Sequence, residues 1–290
     1  MLFRSGAADY YFTTLTQPGA ARSTRLWVLG DSGTADANAA AVCNAYTNLA
    51  GATRPADLWL MLGDNAYNVG SDAEYQAAVF DLYPTVLRNT VLWSTIGNHE
   101  TAQATTISTF PYLDIFTLPQ AGEAGGIPSG TERYYSFDYA NVHFLCLDAM
   151  TSGRTTNTAM FNWAVNDLQT TTQQWVIAFW HHPPYTKGSH DSDAESDLVA
   201  IRQNWLPVLE SYGVDLVLSG HSHCYERSYL LKGHYGLSST LTSGKPARFA
   251  ALQSRNFRML WIGDRSAPER HDAVDSRRHH SHLHPLYGVV

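Results

Sequence analysis

The sequence predicts an α/β fold with mixed sheets, and three observations carry that reading. Five short apolar runs, rich in β-branched and aromatic residues, each end at a glycine or at a residue of a metal-binding type. Helix-like stretches separate several of them, so strand and helix alternate with right-handed crossovers. A two-strand pattern near the middle of the chain reads as a hairpin, which makes the sheets mixed rather than purely parallel.

The elements follow in order. Run 26–29 leads to Gly30-Asp31, and the Ala-rich stretch 35–49 reads as a helix. Run 58–62 leads to Gly63-Asp64, and residues 72–87, opening with acids, read as one helix. Run 91–96 leads to Gly97-Asn98-His99-Glu100. Residues 132–138 and 142–148 flank Tyr139-Ala140-Asn141 as the hairpin. Run 175–180 leads to His181, residues 196–212 read as a helix, and run 214–218 leads to Ser219-Gly220-His221. Residues 9–14 look like a lone strand, followed by a linker at Gln17-Pro18-Gly19. From about residue 245 the periodicity fades, arginines multiply, and His279, His280, His282 and His284 cluster. A main domain at 23–244 and a poorly packed tail at 245–290 are expected.

The 290 residues carry a formal net charge of -7, without a dense basic block ahead of the tail. Nucleic acid and anionic membrane are therefore disfavoured as main partners, and small-molecule chemistry is favoured. No apolar run is long enough for a membrane span, and the opening Met1-Leu2-Phe3-Arg4-Ser5-Gly6 does not read as a signal peptide. Cys43, Cys146 and Cys224 are odd in number and far apart, which supports neither a disulfide framework nor a CxxC zinc site. Cys224 lies beside a histidine cluster, but on an extended segment it points away from His223, so packing is its expected role.

In open α/β sheets ligands bind beyond the carboxyl ends of the strands. Asp31, Asp64, Tyr67, Asn98, His99, His181, His221 and His223 all fall there. Singly, each has an ordinary reading as a cap, a turn residue or a satisfied polar group. Together, without metal, they would accumulate buried charge and unpaired polar atoms that a fold does not otherwise accept.

Five ordered blocks carry a resemblance across residues 25–230. They are Gly30-Asp31-Ser32-Gly33, Gly63-Asp64-Asn65-Ala66-Tyr67, Gly97-Asn98-His99-Glu100, His181-His182-Pro183-Pro184-Tyr185 and Gly220-His221-Ser222-His223. The chain resembles the calcineurin-like metallophosphoesterases and, within them, the purple acid phosphatases. The subfamily rests on Gly33, where generic members usually carry a histidine, and on Tyr67, which matches the tyrosine of the purple enzymes. The resemblance implies a metallophosphoesterase-type β-sandwich of mixed sheets flanked by helices. It implies one metal held by Asp31, Asp64, Tyr67 and His223, a second held by Asp64, Asn98, His181 and His221, and Asp64 as the bridge. A phenolate with carboxylates suits Fe(3+), and the imidazole-rich group suits divalent Zn, Mn or Fe.

Further expectations follow from the resemblance. A metal-bound hydroxide attacks a phosphate monoester, with His99 and His190 donating hydrogen bonds or a proton. His182 is expected to pack rather than to ligate, and Asp191 replaces a second histidine often found after the position of His190. Residues 1–22 are expected to be the last strand and linker of an upstream fibronectin-like domain, and the location to be secreted or periplasmic. Two other readings stand beside this one: a phosphodiesterase or nucleotide hydrolase on the same scaffold, and a catalytically silent metal-binding protein.

Overall fold

The computed structural model describes residues 16–50, 55–102, 104, 109–228 and 231–241, together with the backbone of three strands at 250–253, 258–262 and 283–285. Residues 9–14, expected to form a strand, lie outside the described residues. Two sheets dominate. The first has the order β11-β10-β1-β2-β3, with β1 (Thr24–Leu29), β2 (Leu58–Met61) and β3 (Val91–Ser94) parallel. The second has the order β4-β5-β6-β7-β9-β8. Its β4 (Tyr135–Tyr139) and β5 (Val142–Cys146) form the expected hairpin, and β6 (Trp175–Trp180) and β7 (Leu216–Ser219) continue parallel to β5.

One apolar core contains inward residues of both sheets. Trp27, Trp59 and Leu60 of the first share it with Phe137, Phe144, Phe179 and Leu218 of the second. Trp93 stacks on Phe137 with ring centroids 3.7 Å apart, a direct contact between the sheets. Helix α1 (Ala37–Ala50) lays Tyr46 flat on Trp27 at 3.9 Å. The other face of the second sheet is covered by α5 (Ala159–Thr170) and α6 (Ser196–Ser211), which bury Met160, Ala164, Ile201, Trp205 and Leu209.

Three expectations need correction. The helix expected over 72–87 is broken into α2 (Asp72–Tyr75), a π turn at Gln76–Phe80 and α3 (Pro84–Leu87). Pro84 accounts for the second break: a residue before proline is driven out of the α region, so Tyr83 leaves it and Pro84 opens a new helix. Helix α5 was not expected, although Thr158 caps it and its apolar face fits the sheet. The short α4 (Pro111–Ile115) was also missed. Finally, pairing extends past residue 245, in contrast to the expected tail. Strand β8 (Glu226–Arg227) pairs with β9 (Ala250–Gln253), which lies parallel to β7, and β10 (Arg258–Ile262) pairs with β1 and with β11 (Leu283–Pro285). The run Met259-Leu260-Trp261-Ile262 is itself a strand signal that the surrounding arginines obscured. Among the described residues no helix is long and apolar enough to cross a membrane.

Candidate metal centre

Five strands of the two sheets end at one place. β1, β2 and β3 deliver Asp31, Asp64 and Asn98 from the first sheet, and β6 and β7 deliver His181, His221 and His223 from the second. The chain turns sharply at each delivery. Asp31, Asp64 and His221 have positive φ (55°, 52° and 71°), a conformation that non-glycine residues rarely adopt and that the neighbouring hydrogen bonds must hold. Asp31 N–H donates to Gly63 O (3.1 Å), Gly220 N–H to His181 O (2.8 Å), and His221 N–H to the Asp31 carboxylate (3.0 Å).

The donor atoms fall into two groups that share Asp64. In the first, the Tyr67 hydroxyl lies 3.3 Å from Asp31 Oδ1, 3.4 Å from Asp64 Oδ2 and 3.2 Å from His223 Nε2. In the second, His181 Nε2 lies 3.3 Å from Asp64 Oδ2 and 3.0 Å from Asn98 Oδ1, while His221 Nδ1 lies 2.9 Å from Asn98 Oδ1 and 3.2 Å from His181 Nε2. His181 donates its other nitrogen to Leu62 O at 2.8 Å, which aims Nε2 at the group.

A buried carboxyl orders the scaffold beneath. Glu100 is fully buried and accepts from the backbone N–H groups of Asp64 (2.8 Å), Asn65 (2.6 Å) and Gly97 (2.6 Å), so it ties the loop after β2 to the loop after β3. It closes the Asn98 block in the sequence but carried no assigned role there. Gly33 is the second device. A Cβ at that position would lie 2.3 Å from Ala66 N, and Tyr67 N–H donates to Gly33 O at 2.9 Å. A histidine at position 33 is thus excluded by the same backbone approach that brings in Tyr67.

The family model for calcineurin-like phosphoesterases matches residues 24–225. The chain belongs to that family. Among its relatives, purple acid phosphatase 23 of Arabidopsis thaliana is 36% identical over 136 residues, which cover 45% of this chain and 28% of the relative. Phosphoenolpyruvate phosphatase of Allium cepa is 30% identical over 161 residues, covering 53% of this chain and 31% of the relative. The chain therefore spans less than a third of the length of these two curated relatives. A solved purple acid phosphatase from yellow lupin seeds superposes with a TM-score of 0.66 at 16% identity, covering 88% of this chain and 52% of that one. The Plasmodium inner-membrane-complex anchor GAP50 superposes at 0.54 with 15% identity, covering 83% and 81%. One fold thus serves an anchor as well as phosphatases, so activity has to be argued from the side chains.

In this chain the donor set fits cations on two observations. Asp31 Oδ2 is buried without a hydrogen-bond partner, and the ring nitrogens of His181 and His221 face each other at 3.2 Å. The charge balance of the bare protein points the same way. Burial, with the Asp64 charge beside it, pushes the Asp31 carboxyl up to about 7. Burial opposes charge on His181, but the Asp64 and Asp31 carboxylates outweigh it and hold the imidazole at about 9. Burial, then His181 and His190, press His221 down to about 3. Burial and both carboxylates also raise the Tyr67 phenol far above its ordinary range. Cations in the two groups would compensate the carboxylates and favour the deprotonated donors.

The remaining expected residues line the rim. His99 binds Asn68 O through Nδ1 at 2.6 Å and has Nε2 3.8 Å from Asp64 Oδ2. His190 stacks on His221 with centroids 3.8 Å apart. His182 is buried behind His221, ring centroids 4.3 Å apart, and contributes no atom to either donor group. Cys43 and Cys146 are buried, whereas Cys224 is only half-buried, with Sγ 3.3 Å from Ser222 Oγ and outside both groups. Asp191 is exposed and paired with Lys187. Glu195, which no motif signalled, accepts from His190 Nδ1 at 2.9 Å.

Proposed function

We propose that the chain is a binuclear-metal acid phosphatase that hydrolyses small phosphate monoesters. The observation that supports it most is the sharing of Asp64 between two donor groups of different chemistry. Asp31, Asp64, Tyr67 and His223 form a hard, anionic group suited to Fe(3+), and Asp64, Asn98, His181 and His221 a nitrogen-rich group suited to divalent Zn, Mn or Fe. When bound, such ions polarise phosphoryl oxygens and make a water acidic enough to act as nucleophile near neutrality.

The chain's own groups take the remaining tasks. Asp64 holds the two groups in fixed relation, itself fixed by Glu100 and by the His99 N–H, which donates to Asp64 Oδ1 at 2.9 Å. His99, with Nδ1–H donating to Asn68 O, directs Nε2 at the substrate, where the imidazolium form donates to a phosphoryl oxygen. His190, on the rim, supplies a proton to the leaving alkoxide as the ester P–O bond breaks and water adds to phosphorus on the opposite side.

The test is turnover of the metal-reconstituted protein on an alkyl phosphate, an aryl phosphate and an aryl phosphodiester, with metal content measured on the same sample. Monoester hydrolysis exceeding diester hydrolysis, with two metals per chain and at least one iron, is expected. Faster diester than monoester hydrolysis would replace the reading with a phosphodiesterase, and metal binding without turnover would replace it with a silent metal protein.

A further inference from the structure

We infer that Glu195 is the positioning residue for His190, holding the Nδ1–H tautomer so that Nε2 is the end that exchanges a proton with the leaving group. This rests on the phosphatase reading given above and adds to it a residue outside the five motif blocks.

The carboxylate accepts from His190 Nδ1 through Oε2 at 2.9 Å, with Oε1 at 3.2 Å, so the nitrogen left for substrate is Nε2. A carboxylate behind an imidazole fixes both ring orientation and tautomer. The support is rigid. Glu195 sits at the start of α6, whose Leu198, Ile201 and Trp205 are buried, and its Oε1 also accepts from Asp191 N–H at 2.7 Å. From the same helix, buried Arg202 donates through Nη1 to Pro184 O (3.2 Å) and Ser192 O (2.6 Å), pinning both sides of the loop that carries His190.

Two rival roles fit less well. His190, Glu195 and His221 have ligand atoms close enough for a third metal. However, the two imidazoles lie face to face, 3.8 Å apart and 26° from parallel, so their in-plane lone pairs do not converge on one ion. Asp191 cannot take the place of Glu195, because its carboxylate is engaged by Lys187. In the reaction the proton on His190 Nε2 passes to the leaving oxygen as the P–O bond breaks. The ring returns to neutral imidazole with Nδ1–H still on Glu195, and solvent restores the proton.

The test combines kinetics with spectroscopy. For Glu195→Ala, kcat on an alkyl phosphate should fall roughly 10- to 100-fold, KM and metal content should stay as in the parent, and the loss should shrink on an activated aryl phosphate. Glu195→Gln, whose amide oxygen still accepts from Nδ1–H and from the Asp191 N–H, should recover most of the rate. In a His190→Ala background Glu195→Ala should cost nothing further, since its effect runs through His190. Losses that multiply in the double variant, or metals lost from Glu195→Ala, would overturn the assignment. Long-range nitrogen–proton correlation spectra of the zinc-loaded protein, labelled at histidine nitrogen, supply a readout independent of turnover. In its neutral form His190 should carry its proton on Nδ1, and it should lose that preference in Glu195→Ala. A wild-type His190 protonated on Nε2 alone would overturn the assignment. Should the parent hydrolyse no monoester, the phosphatase reading fails while the spectrum still decides the tautomer.

Discussion

Gly33→Ala tests the claim that a missing side chain is what admits Tyr67 to the site. The added Cβ would lie 2.3 Å from Ala66 N, 2.4 Å from Asn65 C and 2.6 Å from Ala66 Cα, all backbone atoms that no rotamer change can move aside. Restoring ordinary contact at about 3.5 Å requires the loop after β2 to retreat by about 1 Å. The Tyr67 hydroxyl, now 3.2 to 3.4 Å from three donor atoms, travels with that loop through the Gly33 O to Tyr67 N–H bond. Overpacking of this kind costs roughly 1–3 kcal/mol, which for a chain of this size lowers Tm by about 2–4 °C per kcal/mol. Thermal unfolding followed by circular dichroism, with metal analysis of the same protein, measures both effects. A Gly33→Ala protein with parental Tm and both metals retained would refute the packing argument. So would a Gly33→His variant as competent in metal binding as the parent.

Other outcomes follow from the same geometry. Asp64→Ala removes a donor from both groups, so both metals and activity should be lost together in metal analysis and turnover, whereas His182→Ala should keep both metals; if His182→Ala strips a metal and His181→Ala does not, the order of the two histidines has been misassigned. Tyr67→Phe should fold normally but lose any visible charge-transfer band of the iron-loaded protein, and a band that survives would remove Tyr67 from the ligands. His143, buried between Asp138 (2.7 Å) and Asp167 (2.8 Å), is held at about 9 because these two carboxylates outweigh the penalty of burial. Its folded value lies above its unfolded one, so its contribution is complete below about pH 6.5 and is lost as pH rises through 9, amounting to a few kcal/mol at ~1.4 kcal/mol per unit. Urea midpoints at pH 6, 8 and 10 should show the parent losing its advantage over His143→Gln, and a pH-independent difference would count against it.

What could be read from sequence was whatever local pattern determines. Apolar runs of strand length ending in Gly-Asp, Gly-Asn-His or Gly-His announced both the strands and the place where their side chains gather, because strand ends converge wherever the strands are neighbours. Tyr67 and Gly33 could be read as an exchange, although only the 2.3 Å approach of the backbone explains why the two go together. Glu100 was visible as a letter in a block but not as a clamp, since accepting three backbone N–H groups leaves no mark on residue spacing. Glu195 was invisible for a similar reason: its partner lies five residues away on an irregular loop, where no periodicity constrains either residue. Helix α5 was missed because its apolar positions make sense only against the second sheet. Strands β9 to β11 were missed because their short runs lie in a segment dominated by arginine and histidine.

The division of labour between the sheets has a mechanical consequence. The carboxylates and the amide come from the first sheet, and three imidazoles from the second, so the site exists only while the two sheets keep their relative position. Three kinds of contact fix that position. The shared aromatic core joins the faces at Trp93 and Phe137. The hydroxyl of Tyr135 on β4 donates to Ser94 O at the end of β3, at 2.7 Å. At the site itself, His181 Nδ1 donates to Leu62 O and the His221 N–H to Asp31, each a bond from the second sheet to the first. On the histidine side these bonds use His181 Nδ1 and the His221 backbone N–H, so both residues brace the sheets and still present a ring nitrogen to the centre. Small shifts between the sheets would split both donor groups at once, drawing the imidazoles away from the oxygen donors, because each group takes members from both sheets. A scaffold held by core packing and braced within the site keeps the donor atoms in place before any ion arrives.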